Sequence, residues 1–318
     1  MSPALHWIIG AGGLLGSAVA ARVRRSGVDM FAAGPIGWGA DPVADLSRAA
    51  DRFHREADGR DWRVYWCAGA SVTASDPRAL DAEFQVLSRF LQILARGSER
   101  PGAGTGGFFL ASSAGAVYGG APRPPHTEHT PPAPLGAYGD AKLRAEGMVG
   151  QWAARTGVAT GIGRIANLYG PGQRLGKAQG LVSHLCLAAV TRRPMQIYVP
   201  LDTRRDYIFA DDGAAMAVDL LERAVDGGPT TKILASGTST SVGALIGAVR
   251  RASAIAPPFV MSASPHAQLQ GMDLRLRSRV HTDLDERSKV SLDEGISRCM
   301  RAVRVRFAAG GDAPPPVR

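Results

Sequence analysis

A chain of 318 residues, 45% hydrophobic and 20% charged, can bury a large core, and its length suits one large α/β unit with a smaller lobe. Its three cysteines, Cys67, Cys186 and Cys299, lie far apart without metal-ligand spacing, which excludes a disulfide framework and predicts free buried thiols in a reducing cytoplasm. The net charge of +9 is arginine scattered over many segments, so nucleic acid is not expected as a partner.

The first predicted element is a short buried strand, Leu5 to Ile9, running into Gly10-Ala11-Gly12-Gly13-Leu14-Leu15-Gly16 and an amphipathic helix to Arg25. Strand, glycine turn and helix in that order form a dinucleotide fingerprint. The glycines permit a tight turn, and the helix N-terminus offers unpaired N–H groups to a pyrophosphate. The same apolar stretch to Ala21 is broken by glycines and Ser17 and lacks a basic leader, which argues against a signal or a membrane span.

Asp29 to Ala33 reads as a second strand, Asp45-Leu46 as the end of a third, and Arg63 to Cys67 as the fourth. A long helix, Ala79 to Arg96, and a loop, Ser98 to Gly107, lead to a fifth strand, Phe108 to Ser112. Gly119 to Gly136 carries six prolines, too many for a helix, and is expected as coil. A helix from Tyr138 to Arg155 and a strand from Thr160 to Ile165 follow, delivering Asn167 and Tyr169 at the strand's C-terminal edge. The alternation predicts a Rossmann-type, doubly wound parallel sheet. Residues 1–172 and 207–235 are expected to form the dinucleotide-binding domain, 173–206 and 236–307 a substrate lobe, and 308–318 a disordered tail. Arg298, Arg301, Arg304 and Arg306 lie on the last helix as a solvated face. His126, His129, His184, His266 and His281 lack metal spacing and are expected at the surface; no metal site is expected.

Tyr138 and Lys142 carry the chemistry. Four residues apart on a helix, they share one face one turn apart. A phenol ordinarily ionises near pH 10, and serves as a base at neutral pH only when a neighbouring cation stabilises its phenolate.

With these motifs the chain resembles the extended short-chain dehydrogenase/reductases that act on nucleotide sugars, the NAD-dependent epimerase/dehydratase group. The likeness also rests on Trp66-Cys67-Ala68-Gly69-Ala70, Ala111-Ser112-Ser113-Ala114-Gly115-Ala116-Val117-Tyr118-Gly119, Arg164-Ile165-Ala166-Asn167-Leu168-Tyr169-Gly170-Pro171-Gly172, Arg205-Asp206-Tyr207 with Asp211-Asp212, and Ser291 to Ile296. The resemblance implies a homodimer built on the helices of residues 79–96 and 138–155. Tyr138 is implied as acid/base, Lys142 as holder of the cofactor ribose, and Ser113, with Ser112 as the alternative, as the hydroxyl that meets the reacting oxygen. The cofactor would lie against Gly10, Gly12, Gly13, Leu14, Gly16, Ala68, Gly69 and Ile165, with Asp45 and Leu46 flanking the adenine.

Asn167, Arg205 and Arg275, or Arg277 in its place, would meet the substrate diphosphate, because arginine's fork suits phosphate oxygens. The family's acidic residue after the second strand is replaced by Gly34-Pro35 with no arginine following, so the cofactor is NAD with NADP as the alternative. Ile9 and Gln85 also depart from the family pattern. Dehydratases of the family carry an Asp-Glu pair immediately after the serine or threonine; here Ala114 and Gly115 stand there. The implied activity is C4 epimerisation of a nucleoside diphosphate hexose. A 4-ketosugar reductase, a dehydratase and a non-catalytic cofactor sensor follow in that order.

Overall fold

In the computed structural model, residues 3–72, 75–98, 102, 104–175, 179–263 and 270–309 are described; the expected tail from Gly310 onward and His266 lie outside them. The first strand, β1 (Leu5–Ile9), is buried at all five positions because helices cover both faces of its sheet. Leu5, Trp7 and Ile9 face α2 (Pro42–Ala57), α3 (Pro77–Ser98) and α5 (Ala137–Thr156), whereas Ile8 faces α1 (Leu14–Arg25) and α7 (Ala210–Gly227). Alternation of side chains along the strand thus assigns each residue to one of two cores.

The main sheet is parallel, in the order β1, β2 (Trp62–Trp66), β3 (Gly106–Ser113), β4 (Ala159–Ile165), β8 (Thr230–Leu234). The expected second strand is reduced to one bridge, His6 with Met30, held by His6 N–H to Asp29 O at 2.9 Å and Phe31 N–H to His6 O at 2.7 Å. It lies on the β1 edge opposite β2, so the chain reverses direction across the sheet at β1, and the crevice at a parallel sheet's reversal point is where ligands bind.

The expected third strand does not form. Asp45 and Leu46 lie in α2, which Asp41 caps through Ala44 N–H at 3.0 Å and Pro42 opens at its first position. Leu46, Ala49, Ala50, Phe53 and Ala57 form the buried stripe of that helix. The helical spacing of apolar residues outweighs the strand reading.

A second layer carries β5 (Asn167–Tyr169), β7 (Arg204–Phe209) and β11 (Asp273–Leu274), with β9 (Ser239–Ser241) antiparallel to β7. Its core is formed with α6 (Leu181–Thr191), α8 (Val242–Ser253) and α9 (Leu292–Ala308), and a small pair, β6 (Met195–Ile197) with β10 (Phe259–Met261), closes one side. The four-residue helix α4 (Ala114–Val117) follows β3 directly, and residues 119–136 run as coil. Among the described residues no helix is long and apolar enough to cross a membrane.

Candidate active site

The glycine turn has the shape that a dinucleotide needs. Gly10 has φ +87°, and a Cβ there would stand 2.6 Å from Ala68 N, so only glycine lets β1 meet the segment after β2. A Cβ on Gly16 would collide with Gly10 O. Gly13 caps α1 without a side-chain hydrogen bond, and the first turn carries no acidic residue, which leaves the helix N–H groups and dipole to an anion. These residues fit a nicotinamide dinucleotide's pyrophosphate. Arg174 adds a cation there: its guanidinium donates to Gly12 O at 3.2 Å. It was not foreseen, because residue 174 reaches the turn across 162 positions.

Ala68 and Gly69 follow β2, and Glu83 of α3 fixes the loop by accepting Ala70 N–H at 2.6 Å and Ser71 N–H at 2.9 Å. Leu14 opens α1 and Ile165 closes β4, both at the C-terminal edge of the sheet. Asp45 lines a cleft beside Ala33, Gly34 and Pro35 and accepts Gly37 N–H at 2.8 Å, whereas Leu46 is wholly buried in the core and presents no surface to a cofactor.

At the other end, Tyr138 and Lys142 lie in the first turns of α5 with the Lys142 Nζ 5.6 Å from the Tyr138 ring centre and 3.5 Å from Ala111 O at the end of β3. Gly139 lets this helix approach α4: a Cβ there would stand 2.5 Å from Ala116 O. A narrow crevice beside Tyr138 is lined by Gly115, Ala116, Gly119, Leu135, Gly136 and Gly139. Ser113 is half-buried and caps α4, its Oγ accepting Ala116 N–H at 3.3 Å.

Ser112 is engaged elsewhere. Its buried hydroxyl lies 2.5 Å from Glu146 of α5, which is paired with Arg164 of β4 at 2.7 Å; Arg164 also donates to the Tyr118 hydroxyl at 2.6 Å. Burial pushes the Tyr118 phenol up, against the opposing pull of the Arg164 guanidinium that donates to it. Stacked on Tyr118 at 5.6 Å is His126, which is fully buried, correcting its expected surface position. Burial lowers its pKa, and its backbone joins the coil to residues 275–277 through hydrogen bonds of 2.8 and 2.9 Å.

On the substrate side, Asn167 is exposed on β5, with its side-chain amide donating to Asp206 O at 3.2 Å. Arg205 on the adjacent β7 is buried, donates to Arg204 O at 2.8 Å, and has no salt-bridge partner among the described residues. Burial lowers its pKa, so an anion brought to it would be stabilised. Arg275 is exposed and paired with Asp273 at 3.0 Å, one strand over; Arg277 contributes its backbone N–H to His126 O at 2.9 Å. No group of metal-ligating residues occurs among the described residues.

The model of the NAD dependent epimerase/dehydratase family matches residues 64–234, more than half of the chain. The dTDP-L-rhamnose 4-epimerase of Burkholderia thailandensis is 32% identical over 101 residues, covering 31% of this chain and 28% of that protein. The dTDP-4-dehydro-6-deoxyglucose reductase of Escherichia coli is 26% identical over 197 residues, 62% of this chain and 61% of that protein. The chain thus spans less than two thirds of the length of either relative. The structure of MoeE5 in complex with UDP-glucose and NAD superposes with a TM-score of 0.78 at 21% identity, covering 96% of this chain and 100% of that one, and bears out the Rossmann-type fold.

Proposed function

Because the chain belongs to the NAD-dependent epimerase/dehydratase family, we propose that it binds a nucleoside diphosphate hexose and interconverts its C4 epimers through a transient 4-keto sugar. The observation that carries this reading is the pairing of Tyr138 with Lys142 beside a crevice whose other lining residues include no carboxylate. Tyr138, with Lys142 stabilising its phenolate, takes the proton of the C4 hydroxyl and returns it, and Ser113 hydrogen-bonds the C4 oxygen. A nicotinamide dinucleotide held by the glycine turn and Lys142 would supply the acceptor and donor for the C4 hydride. Asn167 and Arg205, with Arg275, the residue that follows β11, hold the diphosphate. Elimination would need an acid and a base after Ser113, where Ala114 and Gly115 stand.

The lobe formed by 173–206 and 236–307 would hold the sugar nucleotide. A homodimer would join through α3 and α5, which are tied to each other by Arg144 and Asp81 at 2.9 Å. Reduction of a 4-keto sugar by the same residues is the second reading, favoured by the likeness to the E. coli reductase.

The test is to incubate nucleoside diphosphate hexoses with the protein in deuterated water. Interconverted C4 epimers, no deuterium at C5 and no net change in cofactor oxidation state support the epimerase. A 4-keto-6-deoxy product or deuterium at C5 overturns it, and stoichiometric cofactor oxidation with a 4-keto substrate selects the reductase.

A further inference from the structure

A second cleft lies beside the segment that follows the β1 bridge and shares no lining residue with the crevice at Tyr138. It has a volume of about 610 Å³ and is lined by Ala33, Gly34, Pro35, Asp45, Asp51 and the arginines 48, 52 and 55 of α2. These three arginines are spaced i, i+4, i+7, so they share one helix face. That face looks onto the end of the segment that bridges β1, where the adenosine ribose of a dinucleotide bound at the glycine turn would lie. We propose that this arginine face recognises a 2'-phosphate, making the protein selective for a 2'-phosphorylated dinucleotide over the unphosphorylated one. The inference rests on the dinucleotide-binding reading above and adds the choice of cofactor.

Two observations carry it. First, the carboxylate that would bond ribose hydroxyls is absent from the strand end: residues 32–35 are Ala, Ala, Gly and Pro. Asp45, the nearest alternative, already accepts Gly37 N–H at 2.8 Å and is paired with Arg48, and Asp51 is exposed on the rim. Second, Arg52 is already organised at the spot. It donates to Ala33 O, its guanidinium carbon lies 5.5 Å from the Phe31 ring centre, and a Cβ at Gly34 would stand 3.8 Å from its Nη2. Arg55, one turn further on, is exposed and has no carboxylate partner among the described residues. A phosphate monoester carries about −1.5 to −2 charges near neutral pH, and guanidinium forks match its oxygens in pairs. The arginines were legible individually. Only the correction of the third strand to a helix brings them together.

Calorimetric titration of the full chain with 2',5'-ADP and 5'-AMP, and with NADP⁺ and NAD⁺, tests the proposal. The phosphorylated member of each pair should bind at least about tenfold more tightly, a difference of about 1.4 kcal/mol. The preference should weaken as salt is raised. Arg52→Ala with Arg55→Ala should abolish the preference while the protein stays folded and still binds 5'-AMP, and Arg52→Lys with Arg55→Lys should restore part of it. Equal affinities, tighter 5'-AMP, or a preference that survives the double alanine variant overturns the proposal. If NAD⁺ binds without discrimination, only the selectivity fails. If none of the four nucleotides binds, the dinucleotide-binding reading fails with it.

Discussion

A single hydroxyl separates tyrosine from phenylalanine, so Tyr138→Phe should remove the proton acceptor and leave the helix, the glycine turn and cofactor affinity intact. Turnover is expected to fall far below a tenth of the wild-type rate. A smaller loss, under about 1.4 kcal/mol, would show that Tyr138 is not the base. Lys142→Ala should weaken dinucleotide binding as well, measured by titration. The two serines should separate in kind as well as in size. Ser113→Ala is expected to lower turnover by about 10² or more, the scale of a lost proton-transfer partner. Ser112→Ala should leave the rate close to wild type and lower stability by about 1 kcal/mol, because it removes the hydroxyl that Glu146 accepts. The reverse ranking would assign the reacting oxygen to Ser112. The Tyr138 and Lys142 pair was readable from the chain because both groups sit on one helix, where spacing alone sets the geometry. The choice between adjacent serines was not, since it turns on a partner 34 residues away.

Elements were legible wherever apolar spacing and termini agreed. The fingerprint helix, α3 and α5 all lie close to their expected positions, and the segment with six prolines runs as coil. The exception, Asp45-Leu46, had Asp41, Pro42 and a helical stripe through Phe53 and Ala57 arguing for α2 in the sequence itself. What holds α5 against the sheet was hidden, because Glu146 and Arg164 meet from different elements. Their side chains are 8% and 11% exposed, so removing one partner strands a charge in the interior. Glu146→Ala should therefore lower stability by about 3–5 kcal/mol, read from urea unfolding, whereas replacing both by apolar residues should cost less. An exposed pair of the same kind would lose under about 1 kcal/mol, and a result in that range would contradict the burial argument.

For the whole molecule, two buried groups give stability opposing slopes with pH. Burial, and then Arg63, push His6 down from 6.5 to about 4, so the fold rejects a proton that the unfolded chain takes up. Its contribution is present above about pH 6.5 and is lost as pH falls toward 4, by on the order of 3 kcal/mol. Burial pushes Asp206 up from 3.8 to about 6, so its contribution is present below 3.8 and lost as pH rises through 6. His6→Gln should thus lose less stability than wild type between about pH 7.5 and about pH 4.5, and Asp206→Asn should show the opposite difference. Denaturation midpoints of both variants that run parallel to wild type would contradict these assignments. Each proposed role of Tyr138, Lys142 and Ser113 requires that the sugar be oxidised at C4. The most direct measurement is to supply a nucleoside diphosphate hexose deuterated at C4 and locate the label in the product by NMR. The expected result is both C4 epimers with deuterium still at C4, because the hydride returns to the carbon it left. Loss of the label to water, or inversion at another carbon with C4 untouched, would contradict the account.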